Sequence, residues 1–199
     1  IRDSFLARIL GALYFINNID DKDLVARSRR SLIGNSVLFL VFFLSFVIRT
    51  LLADGYAVNP ETGEVFMEPY KYLTNFIEMP LVLVLFLIGV VLVLFGIGRS
   101  LLKTKFDKGI WFTGIGTVLA VLALLLVAGY NNTAYYPSTN DLQSSLTLAN
   151  SCSSQFTLRV MFYVSFLVPF VLAYIFYAWR SIDIHKISEK EMKDGGHAY

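Results

Sequence analysis

Cysteine occurs once, at Cys152, so no internal disulfide can staple the chain. Histidine occurs twice, at His185 and His197, both close to the C-terminus and in no metal-ligand spacing with a Cys, an Asp or each other. Charge is scarce as well. Asp, Glu, Lys and Arg make up 16% of the 199 residues, whereas a soluble domain carries about 25%. The balance, +2, is too small to argue for nucleic acid. A disulfide-stapled secreted fold and a water-soluble domain are both excluded.

What is present is hydrophobic residues, 56% of the chain, gathered in blocks. Four stretches reach bilayer length: 32–52, 79–97, 109–130 and 160–179, with Arg49 the one charge inside them. About 20 residues at 1.5 Å each cross a hydrocarbon core about 30 Å thick. Lipid supplies no partner for backbone polar groups, so these stretches are helical. The second holds 15 Leu, Val, Ile or Phe residues after Pro80, which amounts to about −5 to −9 kcal/mol of insertion propensity. A β-barrel would need alternating strands of about ten residues, a pattern these blocks do not follow. A shorter apolar stretch in 1–16, broken by Arg8, is read as the end of a fifth span. Because the first residue is Ile1 rather than Met, the chain is expected to be part of a longer one.

The remaining segments sort by charge. Segments 17–31, 98–108 and 180–199 carry 12 basic residues in all, among them Arg27, Arg29, Arg30, Lys103, Lys105, Lys108, Arg180 and Lys186. Segments 53–78 and 131–159 hold Lys71 and Arg159, with Arg49 just before the first of them, beside Asp54, Glu61, Glu64, Glu68 and Asp141. Basic segments remain in the cytoplasm, so the C-terminus is expected inside and 53–78 and 131–159 outside. Tyr70, Tyr72, Phe76, Tyr130, Tyr135 and Tyr136 would then lie at the outer interface, and Trp111, Tyr177 and Trp179 at the inner one. Asn75 is read as a cap for the second span, with Glu78 in its first turn. A short capped helix is expected over 188–193. Outer segments 55–71 and 131–157, rich in aromatics, are predicted to pack on each other or on a partner.

Residues that could carry chemistry mostly have a plainer reading. No acidic residue stands inside a span, and such residues mark proton and ion paths. Met79 and Met161 lie at outer ends, where a lone Met is packing. Glu78, Arg49 and Arg159 fall near the outer rim, as anchors or as ion pairs with one another. Gly96-Ile97-Gly98 closes a span instead of following a strand, so it is no nucleotide-binding turn. Gly114, Gly116, Ala120 and Ala123 admit a close neighbouring helix, and Thr113 and Thr117 can bond backbone carbonyls. Pro169 removes a bond to Ser165 and predicts a kink in the fourth span. Asn131-Asn132-Thr133 matches a glycosylation triplet that is common by chance.

One region is more distinctive. Ser153, Ser154, Gln155, Phe156, Thr157 and Leu158 lead into a span containing Val168-Pro169, which leaves through Tyr174, Tyr177 and Trp179. This resembles the C-terminal end of subunit II of cytochrome bd-type quinol oxidases. Asp54-Gly55-Tyr56, Asn75-Phe76 and the tail around Ile187, Met192 and Tyr199 are similar to that family too. The resemblance implies an all-α membrane protein: four transmembrane helices plus the end of a fifth, the C-terminal half of a nine-helix subunit in the bacterial cytoplasmic (inner) membrane. It implies a complex that oxidises quinol and reduces O2 to water. The expected partners are the haem-bearing subunit I, membrane lipid and, as a candidate, a structural quinone, with no nucleic acid. Haems b and d and the quinol would sit in subunit I. No catalytic residue and no metal ligand is carried over to this chain, because the acidic residues tied to the family's proton path lie in the half of subunit II that precedes it.

Two other classes fit the spans. A small four-helix transporter or channel subunit would need a polar residue facing a cavity at mid-span, and Ser45, Thr117 and Ser165 are its candidates. A purely architectural anchor would have neither flux nor a haem-bearing partner.

Overall fold

The computed structural model describes residues 2–102, 106–182 and 187–188. The chain is an all-α membrane protein. Four of its described helical segments are long and apolar enough to cross a bilayer: Lys22–Leu52, Pro80–Leu102, Gly109–Gly129 and Gln155–Ser181.

Helix α1, Arg2–Asn18, buries one face. Ile9, Ala12, Leu13 and Ile16 recur at i, i+3, i+4 and i+7 and are all inside. They pack with Leu32, Val93 and Ile97 of two later helices. Two residues, Ile19–Asp20 (β1), and Asp21 then turn the chain into α2, Lys22–Leu52. The Asp21 carboxylate accepts from the amides of Asp23 (2.8 Å) and Leu24 (3.0 Å) and caps that helix.

The loop expected over 17–31 is therefore mostly helix. Its basic residues Arg27, Arg29 and Arg30 ride on the first turns of α2. At 31 residues the helix is roughly 46 Å long, so a charged end can extend beyond a hydrocarbon core without unwinding.

Two short strands, Gly55–Val58 (β2) and Val65–Glu68 (β3), form an antiparallel hairpin. Its turn rests on Asn59, whose side chain accepts from Glu61 N (2.9 Å), and on Gly63, whose φ of +73° suits a residue without Cβ. Helix α3, Lys71–Glu78, follows and breaks at Met79, before α4, Pro80–Leu102. That second span extends five residues past its expected end at 97, so Gly96-Ile97-Gly98 lies inside α4 and does not close it.

Helix α5, Gly109–Gly129, packs along α4 in the closest helix pair of the chain. Its buried positions Gly109, Thr113, Gly116, Ala120, Ala123 and Val127 alternate in steps of four and three. On α4 the matching positions are Phe86, Gly89, Val93, Gly96 and Ser100. This is the heptad spacing of helices wound side by side. A Cβ on Gly89 would stand 2.6 Å from Ala120 N, and one on Gly116 would stand 2.6 Å from the Gly89 carbonyl. Small residues here bring backbone onto backbone, as they do in bilayers. Gly114 is off this stripe and meets nothing within 4 Å.

After a 3-10 turn, Leu142–Ser144, comes α6, Leu148–Ser151, with a reciprocal capping box between Thr147 and Asn150. Ser154 caps α7, Gln155–Ser165. The fourth span thus begins at 155, five residues before the expected 160. It is interrupted at Phe166 and Leu167 before α8, Val168–Ile182, where the sequence placed the effect of Pro169. The amides of Phe166 and Leu167 turn back to the carbonyls of Tyr163 (3.2 Å) and Val164 (2.9 Å), the tighter bonding of a helix break. No residue in the most apolar stretch of this span is buried. Ile187–Ser188 (β4) pairs in parallel with β1. The rest of the expected 188–193 helix, with His185, Lys186 and His197, lies outside the described residues, as do Lys103 and Lys105.

Candidate functional site

Two places gather side chains that the bundle alone does not account for. The first is a polar cluster where the start of α4 and the end of α5 meet segments 53–78 and 131–159. Asn75 is fully buried. Its amide donates to the Val127 carbonyl (2.9 Å) and to Thr133 Oγ1 (2.8 Å), while its Oδ1 accepts from Asn131 Nδ2 (3.1 Å). Val127 lies in the last turn of α5, where carbonyls have no partner within the helix. Asn75 therefore closes the C-terminus of α5 from outside instead of capping the second span, as the sequence suggested. Its position four residues before Met79 made it look like a helix start. The short helix α3 places it mid-helix and inward.

Asn131 and Asn132 both adopt left-handed backbone, φ 56° and 52°, which Asn tolerates better than most residues. This tight turn explains the Asn131-Asn132-Thr133 triplet. It aims the Asn131 side chain at Asn75 and also at the Glu78 carboxylate, which accepts from it. Glu78 is thus held by Asn131 rather than by Arg49 or Arg159. Among the described residues the ion pair formed is Lys71 with Glu68, at 3.1 Å. Phe76, expected at the interface, is buried on Phe86 at 5.3 Å between ring centroids.

Segments 55–71 and 131–157 pack on each other, as their sequences predicted, although backbone and a glutamine make the join. Ala57 bridges to Thr133, Val58 N donates to Asn132 O (2.7 Å) and Ala134 N donates to Tyr56 O (2.8 Å). Gln143 presents its side-chain amide to the edge of β3, accepting from Val65 N and donating to Val65 O, each at 2.9 Å. Tyr72 lies half-buried in this layer; burial first, and Tyr56 second, raise its phenol above the ordinary value.

The second place is a groove of about 390 Å3 at the opposite end. Tyr14 and Asn17 of α1, Trp111, Ile115 and Val118 of α5 and Trp179 of α8 line it. Gly114 forms part of its floor. Both tryptophans expected at the inner interface thus face one cleft, which the sequence did not foretell because α1, α5 and α8 are far apart in the chain.

The mid-span hydroxyls are spent on their own helices. Ser45 donates to Val41 O (2.7 Å), Thr117 to Thr113 O (2.8 Å) and Ser165 to Phe162 O (2.6 Å). None of the three is left with a free proton for a passing solute. What this cluster can do is hold elements in register: it joins α3, the end of α5 and the β2–β3 layer through hydrogen bonds.

Comparison with known proteins matches residues 4–182 to the family model described as cytochrome bd terminal oxidase subunit II. The chain is also 32% identical, over 136 residues, to the cytochrome bd-I ubiquinol oxidase subunit 2 of Escherichia coli strain K12. The subunits of that name from the O6:H1 and O157:H7 strains match to the same extent. These alignments cover 67% of the chain and 34% of each relative, so the matched stretch spans about a third of those proteins.

Proposed function

The chain belongs to the cytochrome bd terminal oxidase subunit II family, and on that premise we propose that it serves a membrane oxidase that oxidises quinol and reduces O2 to water. Within it this chain is the subunit that ligates no haem and supports the assembly and packing of a haem-bearing subunit I. Haems b and d and the reacting quinol belong to that partner.

The observation that carries the reading is the family match over 4–182 combined with the candidate mid-span hydroxyls Ser45, Thr117 and Ser165, each of which bonds its own backbone. A transporter needs polar groups that exchange partners with a solute; these spans offer lipid-like walls and glycine-mediated contacts. The chain's contribution is mechanical. Helices α4 and α5 form a rigid pair, Asn75 locks their outer end to the loop layer, and the exposed face of α7 and α8 is available to the larger assembly. The basic ends of α2, α4 and α8 face the cytoplasm of the inner membrane. The lipid bilayer covers the remaining apolar surface, and a structural quinone is a further candidate there.

A tag on this chain, used to purify the intact membrane assembly, tests the proposal. Quinol-driven oxygen consumption and haem b and d absorption should both copurify with it. An assembly that holds neither would refute the oxidase role, and solute flux through the chain in liposomes would replace it with transport.

A further inference from the structure

The groove between α1, α5 and α8 lies at the end of the bundle where the basic residues gather. Its walls are apolar along α5, through Ile115 and Val118, and aromatic at the mouth, where Tyr14, Trp111 and Trp179 present rings with a polar edge. Trp and Tyr favour the headgroup level of a bilayer for this reason. Lys108 stands two residues before the lining residue Ile110, and Arg180 directly follows the lining residue Trp179. Both cations are exposed, and neither side chain forms an ion pair or hydrogen bond among the described residues. Among the acids of this end, Asp21 is engaged as the cap of α2.

We propose that this groove binds one anionic phospholipid, with an acyl chain along Ile115 and Val118 and its phosphate held between Lys108 and Arg180. The two cations belong to different helices, each near a tryptophan that lines the groove, Trp111 of α5 and Trp179 of α8. A lipid phosphate between them would offset part of their charge and link α8 to α5. The acyl chain would run over Gly114, where a Cβ meets nothing within 4 Å. The proposal rests on the membrane-spanning reading and the charge asymmetry of the chain's two ends, not on oxidase activity.

The test is lipid retention. The intact assembly is exchanged into nanodiscs of equal phosphatidylglycerol and phosphatidylcholine, then released and weighed by native mass spectrometry. One phosphatidylglycerol should remain bound, enriched on the order of tenfold over phosphatidylcholine, as two basic side chains at a membrane surface favour. Gly114→Leu, whose side chain enters the open groove, should lose the retained lipid while the assembly stays intact. Lys108→Ala with Arg180→Ala should keep a lipid but lose the preference for anionic headgroups. Retention that Gly114→Leu leaves unchanged would overturn the proposal. So would equal retention of phosphatidylcholine by the unaltered protein, or a quinone recovered in place of the phospholipid. Oxygen consumption is not read, so failure here and failure of the oxidase role remain distinguishable.

Discussion

Asn75 is a single amide on which three separate segments close. Replacing it with Ala or Leu would leave the Val127 carbonyl and the Thr133 hydroxyl without their donor in a buried place, at a cost of about 1–3 kcal/mol. The thermal midpoint of the purified assembly should fall accordingly, and Asn75→Asp, which loses both donated bonds, should not restore it. Thr113 is the opposite case. Its hydroxyl is buried at the α4–α5 contact without a hydrogen-bond partner. Thr113→Val keeps the shape and removes the unmet group, so stability should hold or rise by about 1 kcal/mol in the same melt. Tyr72 supplies a pH test. Its phenol is raised chiefly by burial, so the contribution of this neutral group is complete below its unfolded value of about 10 and is lost as pH rises through the folded value. Ultraviolet titration should find a late-ionising tyrosine that Tyr72→Phe removes. None of these residues announced its role in the sequence. Asn75 had a plausible local function as a cap, and only the fold of 71–78 into its own helix turned it toward α5.

At the scale of helices, apolar block length predicted the spans, because lipid demands helix wherever about 20 apolar residues run together. The ends were less legible. Helix α2 starts ten residues before its apolar block, since Arg27, Arg29 and Arg30 favour helix as readily as loop. Helix α7 starts at a Ser154 cap that composition alone did not mark. The small residues of α5 were legible as a contact face, but with one error: Gly114 falls outside the heptad steps that place Gly116, Ala120 and Ala123 on α4. This distinction is testable. Gly89→Ala and Gly116→Ala each force backbone apart and should destabilise the pair by about 1–3 kcal/mol, whereas Gly114→Ala should be neutral. Chemical denaturation in mild detergent would separate the two outcomes. Loss of stability in all three variants would mean that the whole small-residue face, not the heptad stripe, carries the contact. The break in the fourth span was legible from Pro169, because a missing amide and a crowded carbonyl leave few alternatives.

Over the whole molecule, the bundle packs through α1, α2, α4 and α5, while the last span stands apart with its surface open. Sequence could not foresee this asymmetry, since all four blocks are similarly apolar and hydropathy records lipid compatibility, not which helix touches which. The mating of the two outer segments was foreseen from their aromatic content, yet it is made by backbone pairing and by Gln143, long-range contacts that composition does not encode. The proposed function makes the chain a braced frame that leaves electron chemistry to a companion subunit. The most direct measurement of that claim is the location of haem when the tagged assembly is split. With this chain stripped from the purified complex by graded detergent, the haem b and d absorption bands should stay wholly with the larger partner. Haem bands that travel with this chain would contradict the account.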